Sequence, residues 1–470
     1  MWSRLILGLI AGTLVLVAHI QGQRTKHVVC YQGTWSVYRP GSGKFGVEDI
    51  DPFLCTHLVY AFLGIHENGS LRVIDPYLDL EDNGGRGNLQ KFNALKLKNP
   101  TLKTLVAVGG WNEGSKKFSL LASDPEKRSR FIDDVVKFLQ RHGFDGLDLD
   151  WEYPGQRHSL ENLNDRQNFV TLLKELKEGL QPFSYLLSAA VGSAQFSAEI
   201  SYNIPEVVPY LDLINIMAYD LHGPWDAVLG INAPLSPKSN DSLPREQELN
   251  VDAIVKYWLK AGAPPEKLIL GVPFYGRTFT LLSPEQHEPG SPHIGRGIAG
   301  PYSREPGVLG YNELCEQLSE WNQQWQADQQ VPYAYKGRQW VGYENRRSLS
   351  LKAEYAKNQQ LGGIMIWSLE SDDFQGKCGE GRNPLLRAIN QVLFGQNTPT
   401  GLHEEEDDAT VTAHSFECPD HTSMGYMRDP LNCSRFYYCN AGISFSFDCP
   451  EGLHFDSITS NCNYAETVNC

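Results

Sequence analysis

At 470 residues the chain is long enough for one large domain plus a small one, since a single α/β barrel occupies about 250 residues or more. An apolar fraction of 41% is adequate for a buried core, and a net charge of −15 without any basic cluster argues against nucleic acid or an anionic membrane as the partner. The substrate expected from that charge is neutral or cationic.

Met1-Trp2-Ser3-Arg4 precedes the apolar run from Leu5 to Ala18, a positive region before a hydrophobic stretch of signal-peptide length. The run is shorter than the roughly 20 residues of a comfortable membrane span. A signal peptide is therefore expected over 1–22, cleaved between Ala18 and Gln23, with a secreted, extracellular mature protein. Acceptor sequons at Asn68, Asn240 and Asn432 are compatible with glycosylation on that route.

From His27 to about Leu393, short β-rich runs alternate with longer amphipathic segments. The runs are 27–33, 57–64, 103–111, 144–152, 185–192, 211–220, 268–276 and 362–370. Eight apolar strands separated by crossovers long enough for helices predict an α/β fold, a (β/α)8 barrel. The segment Glu126–Arg141 reads as an outer helix, because Phe131, Val135, Phe138 and Leu139 recur at helical spacing. The gap between the seventh and eighth strands is too long for one helix. Its aromatic and Gly/Pro-rich content, with the strand-like WVGYEN at 340–345, predicts an α+β insertion over about 277–350 beside the barrel mouth.

The fourth strand carries Phe144-Asp145-Gly146-Leu147-Asp148-Leu149-Asp150-Trp151-Glu152-Tyr153-Pro154. Alternation places Asp148, Asp150 and Glu152 on one face and Leu147, Leu149 and Trp151 on the other. Same-face neighbours lie roughly 6.5 to 7 Å apart, so the carboxylates resist simultaneous ionisation and at least one proton is retained near neutral pH. A solvated acidic edge strand would need a polar opposite face, which is absent. A hard-cation site would need a glycine-turned acidic loop, and none accompanies the strand. Paired acids in different environments point instead to acid/base chemistry, and the barrel demands that such residues lie at the carboxyl ends of strands. Glu152, Trp111 and Asn112, Met217, Tyr219 and Asp220, and Trp367 all meet that demand.

After Phe394 the composition shifts. The segment 396–415, with its run Glu404-Glu405-Glu406-Asp407-Asp408, reads as an acidic mobile linker. Six of the ten cysteines then fall in 416–470, the density of a small secreted scaffold that relies on disulfides. Six cysteines leave 15 pairings open. Zinc is disfavoured, since no C-x2-C pair is present.

The run FDGLDLDWEYP resembles the catalytic-strand motif D-G-x-D-x-D-x-E of glycoside hydrolase family 18, the chitinases, met here by Asp145, Gly146, Asp148, Asp150 and Glu152. The terminal cysteine spacing resembles the peritrophin-A chitin-binding module, carbohydrate-binding module family 14. Together they resemble the plan of secreted arthropod-type chitinases, with a catalytic domain over 24–395 and a chitin-binding domain over 416–470. The resemblance implies endochitinase activity on β-1,4 linkages of chitin and chitooligosaccharides, without cofactor or metal, by a monomer.

Glu152 is the natural proton donor. On spacing alone Asp150 could serve as a nucleophile. The resemblance implies otherwise: the substrate's 2-acetamido oxygen attacks, with retention, while Asp150 orients the acetamide, Asp148 shares its proton and Tyr219 donates to the acetamide carbonyl. It further implies an aromatic rim of Tyr31, Trp35, Trp111 and Trp225, a pocket completed by Asn112, Tyr153, Met217 and Asp220, a floor at Trp367, and polar contacts from Arg277 and Glu305. It implies the disulfides Cys30–Cys55, Cys315–Cys378, Cys418–Cys439, Cys433–Cys470 and Cys449–Cys462. In the terminal module Tyr437, Tyr438, Phe445 and Phe447 are candidates for a flat sugar-binding face. A catalytically silent chitin-binding lectin on the same fold is the alternative reading.

Overall fold

The computed structural model describes residues 26–157, 164–239 and 244–395, and in the C-terminal region 425–429, 432–440, 443–449, 453–457, 459, 461–464 and 468. The expected signal peptide, the linker and Asn240 lie outside the described residues. The chain divides into two compact units between Gly401 and Leu402.

In the first unit eight parallel strands follow one another: β1 (His27–Gly33), β2 (His57–Ile65), β3 (Lys103–Gly109), β4 (Gly146–Asp150), β5 (Leu186–Gly192), β6 (Leu213–Met217), β7 (Leu268–Pro273) and β8 (Gly363–Trp367). β1 pairs with both β2 and β8, which closes the sheet into a barrel. Nearly every strand residue is buried, because one face packs on the helices and the other fills the barrel. The filling includes Val29, Val59, Ala61, Leu105, Ala107, Ile269 and Met365.

The helix Pro125–His142 shows how the outer layer forms. Asp124 caps it by accepting from the amides of Glu126 and Lys127, Pro125 occupies its first turn, and Gly143 ends it at φ 76°. Phe131, Val135 and Leu139 are buried against the sheet, each worth about 1.5–3 kcal/mol, while Phe138 is half-buried.

Strand ends differ from the expected ones at two places that matter. β4 stops at Asp150, so Trp151 and Glu152 lie beyond it, and β6 stops at Met217, so Tyr219 and Asp220 follow in a loop. The cause at β4 is local: the Asp150 carbonyl is taken by the Gly110 amide at 2.9 Å, and the chain then bends out of the sheet. Gly109, at φ 122°, permits this approach, since a Cβ there would sit 2.0 Å from the Asp150 carbonyl oxygen.

The insertion starts earlier than the expected 277. Its first strand is Tyr275–Leu281, separated from β7 only by Phe274. The neighbours of that strand are His293–Arg296, Val308–Gly310 and Gln339–Gly342, and Val331–Lys336 and Asn322–Gln326 extend the sheet beyond the last of these. Leu229, Ile231, Phe279, Leu281, Val331, Tyr333 and Trp340 form the insertion's own core. Phe274 is buried, with its amide bonded to the Trp367 carbonyl and its carbonyl to the Tyr311 amide, both at 2.9 Å.

Cys30 is bonded to Cys55 and Cys315 to Cys378. In the second unit a three-stranded antiparallel sheet (Gly425–Arg428, Arg435–Asn440, Ile443–Asp448) accompanies the hairpin Leu453–Asp456 and Asn461–Tyr464. Phe436 stacks on Phe455 at 4.3 Å, and Cys449 is bonded to Cys462. Cys433 is also disulfide-bonded, whereas Cys418, Cys470 and the side chains of Cys439, Tyr438, Phe445 and Phe447 lie outside the described residues. Among the described residues no helix is long and apolar enough to cross a membrane.

Candidate active site

β4 organises the site. Leu147, Leu149 and Trp151 point into the strand–helix core, and Trp151 is fixed there by stacking on Phe118 at 5.4 Å and donating to Ser115 Oγ at 2.7 Å. The alternate residues Asp148 and Asp150 are therefore both buried within the barrel.

Asp148 is surrounded by donors. It accepts from Tyr31 Oη at 2.7 Å, Ser188 Oγ at 2.5 Å and Asn215 Nδ2 at 3.1 Å, and Asn215 also reaches Tyr31 Oη at 3.0 Å. Burial still raises its pKa, with these three hydrogen bonds pulling the other way. Asp150 is only 4% exposed, and among the described residues its Oδ1 has no hydrogen-bond partner. Its pKa stands well above the carboxylate range, through burial first and then the charges of Glu152 and Asp148. Glu152, past the strand end and 9% exposed, has its pKa raised to about 7 by burial, with Asp220 adding to the rise and Tyr153 and Arg157 opposing it. Three carboxyls whose pKa values all stand above the ordinary range thus follow one another from the barrel interior to its mouth.

Across the mouth, Tyr219 packs edge-on to Tyr275, and among the described residues its hydroxyl meets the Met365 sulfur, at 3.8 Å, as its one hydrogen-bond partner. Asp220 adopts a left-handed backbone at φ 54° while its amide donates to Asn232 Oδ1 at 2.9 Å. Its carboxylate receives Tyr275 Oη at 2.7 Å and a two-pronged contact from Arg277, Nε at 2.7 Å and Nη2 at 2.6 Å. Burial works against the charge on Arg277, but Asp220, with lesser help from Tyr275 and the exposed Glu305, keeps its pKa above the ordinary value. The guanidinium of Arg277 also lies 5.0 Å from the Trp225 ring.

The apolar floor is a cluster. Trp367 lies 5.6 Å from Tyr31, 5.7 Å from Phe62 and 6.1 Å from Trp35, which is itself exposed. Trp111, Asn112 and Trp225 are exposed at the rim, Tyr153 and Met217 are half-buried, and Met217 packs with the barrel interior. The peptide bonds after Phe62's predecessor Ala61, after Glu152 and after Trp367 are cis.

Tyr31 corrects one expectation. Placed on the aromatic rim by resemblance, it is 1% exposed and points into the barrel, because Asp148 and Asn215 hold its hydroxyl there. Ser188, Asn215, Tyr275, Asn232 and Arg157 were not anticipated. For two of them a signal existed: Ser188 and Asn215 are the polar side chains in the otherwise apolar strands LLSAAVG and LINIM, and a polar residue buried in a barrel strand needs a partner.

Comparison with known proteins agrees with this geometry. Residues 27–372 match the family model of glycosyl hydrolases family 18, and 418–470 match that of the chitin binding peritrophin-A domain. The chain is 41% identical over 428 residues to probable chitinase 2 of Drosophila melanogaster, covering 84% of this chain and 86% of that protein. It is similar to the solved group IV chitinase of Ostrinia furnacalis, 51% identical with a TM-score of 0.76, covering 78% of this chain and 99% of that one. That chitinase has also been solved with allosamidin. Human YKL-39, described as a pseudo-chitinase with retained chitooligosaccharide binding, is 39% identical with a TM-score of 0.73, covering 78% of this chain and 99% of that one.

Proposed function

The chain belongs to glycosyl hydrolases family 18, and on that premise we propose that it is a secreted endochitinase that cuts β-1,4 linkages between N-acetylglucosamine units with retention, by substrate-assisted catalysis. The observation that carries the reading is the pairing of Glu152, its pKa near 7, with Asp150, whose buried Oδ1 has no hydrogen-bond partner among the described residues.

Glu152 protonates the leaving oxygen as the substrate's acetamide oxygen attacks the anomeric carbon to give a bicyclic oxazolinium ion. Asp150 accepts the acetamide N–H, and its proton is shared with Asp148, which Tyr31, Ser188 and Asn215 hold in place. The Tyr219 hydroxyl donates to the acetamide oxygen, where charge develops. Glu152, now deprotonated, activates the water that opens the ion. Trp367 forms the apolar floor, Trp35, Trp111 and Trp225 bind successive sugars, and Asn112, Tyr153, Met217, Asp220 and Arg277 complete the pocket. Residues 24–395 carry the chemistry, 396–415 tether, and 416–470 hold the enzyme on insoluble chitin. The products are neutral oligomers that need neither cofactor nor metal.

The likeness to YKL-39 supports a second reading, a chitin-binding lectin without activity. Silent members of the family typically lose the terminal acid of the motif, and Glu152 is present here. The test is turnover of chitohexaose and of its fully deacetylated counterpart by the wild type and by Glu152→Gln. We expect cleavage of the acetylated hexamer alone, lost by about 10²–10⁴-fold or more in the variant with binding retained. No cleavage by the wild type would favour the lectin. Comparable rates on both hexamers would favour Asp150 as a covalent nucleophile.

A further inference from the structure

Five residues beyond the acid, Arg157 makes three contacts that join the neighbouring loops after β3 and β4 at the barrel mouth. Its guanidinium lies 3.5 Å from the centre of the Trp111 ring, its Nη1 donates to the Glu152 carbonyl at 3.1 Å, and its Nη2 donates to the Trp111 carbonyl at 3.0 Å. The residue adopts a left-handed backbone at φ 50°, a conformation that a long side chain takes only where its surroundings enforce it. The enforcement is visible one residue earlier. Gln156 Nε2 reaches the carbonyl and hydroxyl of Ser197 at 3.2 and 3.0 Å and Ser201 Oγ at 2.7 Å, and Ser201 in turn donates to the Pro154 carbonyl at 2.7 Å. The loop that follows Glu152 is thereby bound to the helix Gln195–Ser201, and Arg157 is directed toward Trp111 in the adjacent loop.

The consequence falls on both partners. Trp111 is 59% exposed, and a flat cation covering one face fixes the ring while leaving the other face open. Glu152 gains a positive neighbour held through its own backbone. Among the described residues, the titratable groups facing it are Asp150 from β4, Tyr153 and Arg157 from its own loop, Tyr202, and Tyr219 and Asp220 from the loop after β6. Arg157 is the cation among them.

We infer that Arg157 is a positioning residue of this site: with its guanidinium on the Trp111 ring and its Nη1 on the Glu152 carbonyl, it holds Trp111 as a fixed sugar platform and keeps a positive charge beside the acid. The inference rests on the proposed activity for its pH consequence, and on the geometry alone for its binding consequence.

The test uses the full chain with Arg157→Met, which keeps the length of the side chain without charge, and Arg157→Lys, which keeps the charge without the planar fork. Arg157→Met should raise KM for chitohexaose about two- to fivefold, the range expected for an exposed cation–aromatic pair. It should also move the alkaline limb of kcat/KM to higher pH, because losing a nearby positive charge raises the pKa of Glu152. Arg157→Lys should restore the limb but not KM. An unmoved limb or an unchanged KM in a variant of wild-type Tm would overturn the inference, as would tighter binding from uncovering the second face of Trp111. Affinity for chitohexaose is measured in parallel in the Glu152→Gln background. If the wild type proves inactive, the proposed activity fails, and that affinity still decides the role of Arg157: a two- to fivefold loss supports it and no loss refutes it.

Discussion

Tyr219→Phe separates catalysis from folding in one substitution. In the free protein the Tyr219 hydroxyl is buried and meets the Met365 sulfur at 3.8 Å, a weak acceptor at long range. Ordinary intramolecular hydrogen bonds contribute only about 0.5–1.5 kcal/mol net, and this one lies at or below the bottom of that range. Phenylalanine keeps the ring against Tyr275 and in the space that Gly271 leaves, where a Cβ would come within 3.0 Å of it. Stability should therefore stay within about 0.5 kcal/mol, a Tm change of less than about 2 °C. Catalysis should respond very differently. If the hydroxyl donates to the acetamide oxygen as charge develops, its loss removes a pre-placed donor of a kind that costs about 10²–10³ in kcat, or about 3–4 kcal/mol. The assay is kcat on chitohexaose beside calorimetric Tm. A kcat within threefold of wild type would refute the assigned role, and a Tm lowered by more than about 5 °C would refute the description of the hydroxyl as structurally idle.

With the Glu152 pKa at about 7, kcat/KM should fall as pH rises through that value, since the proton donor is lost; a rate that climbs between pH 6 and 8 would contradict the assignment. Stability should also fall as pH rises from about 4 to about 7. The folded state raises Glu152 and Asp372 to about 7 from unfolded values near 4, chiefly by burial, so it binds more protons between those limits. Their contribution is fully present below about pH 4 and lost by about pH 7; His57, depressed to about 3 by burial, works in the opposite direction up to its unfolded value of about 6.5. Tm should be higher at pH 5.5 than at pH 8, and the reverse order would refute this balance. Truncation before Phe416 should leave turnover of soluble oligomers unchanged and weaken action on insoluble chitin, because a tethered module raises local concentration without touching the chemistry. An equal loss on both substrates would sink that division.

The barrel was legible because parallel strands buried on both sides must be written as continuous apolar runs, and eight such runs stand out from the amphipathic segments between them. Their ends were less legible. Nothing in Leu149-Asp150-Trp151-Glu152 marks the point where the Gly110 amide takes the last ladder carbonyl and releases the chain. The acids themselves were legible from alternation, since Asp148 and Asp150 share a face opposite Leu147 and Leu149. Their supports were harder to see, for they come from distant strands: Ser188 and Asn215 declare themselves only as polar interruptions, and Tyr31 reads like any rim aromatic until the hydroxyl finds Asp148. Arg157 was invisible, because a lone arginine in a polar loop carries no pattern that says which ring it will cover.

The junction at Phe274 bears on how a polymer enters. With that residue buried and bonded at both its amide and its carbonyl, the bend that carries the chain from β7 of the barrel into the strand of Tyr275 and Arg277 is tied to the Trp367 carbonyl on one side and the Tyr311 amide on the other. On the proposed activity, this anchoring predicts a cleft wall that stays in place while a glycan chain is loaded.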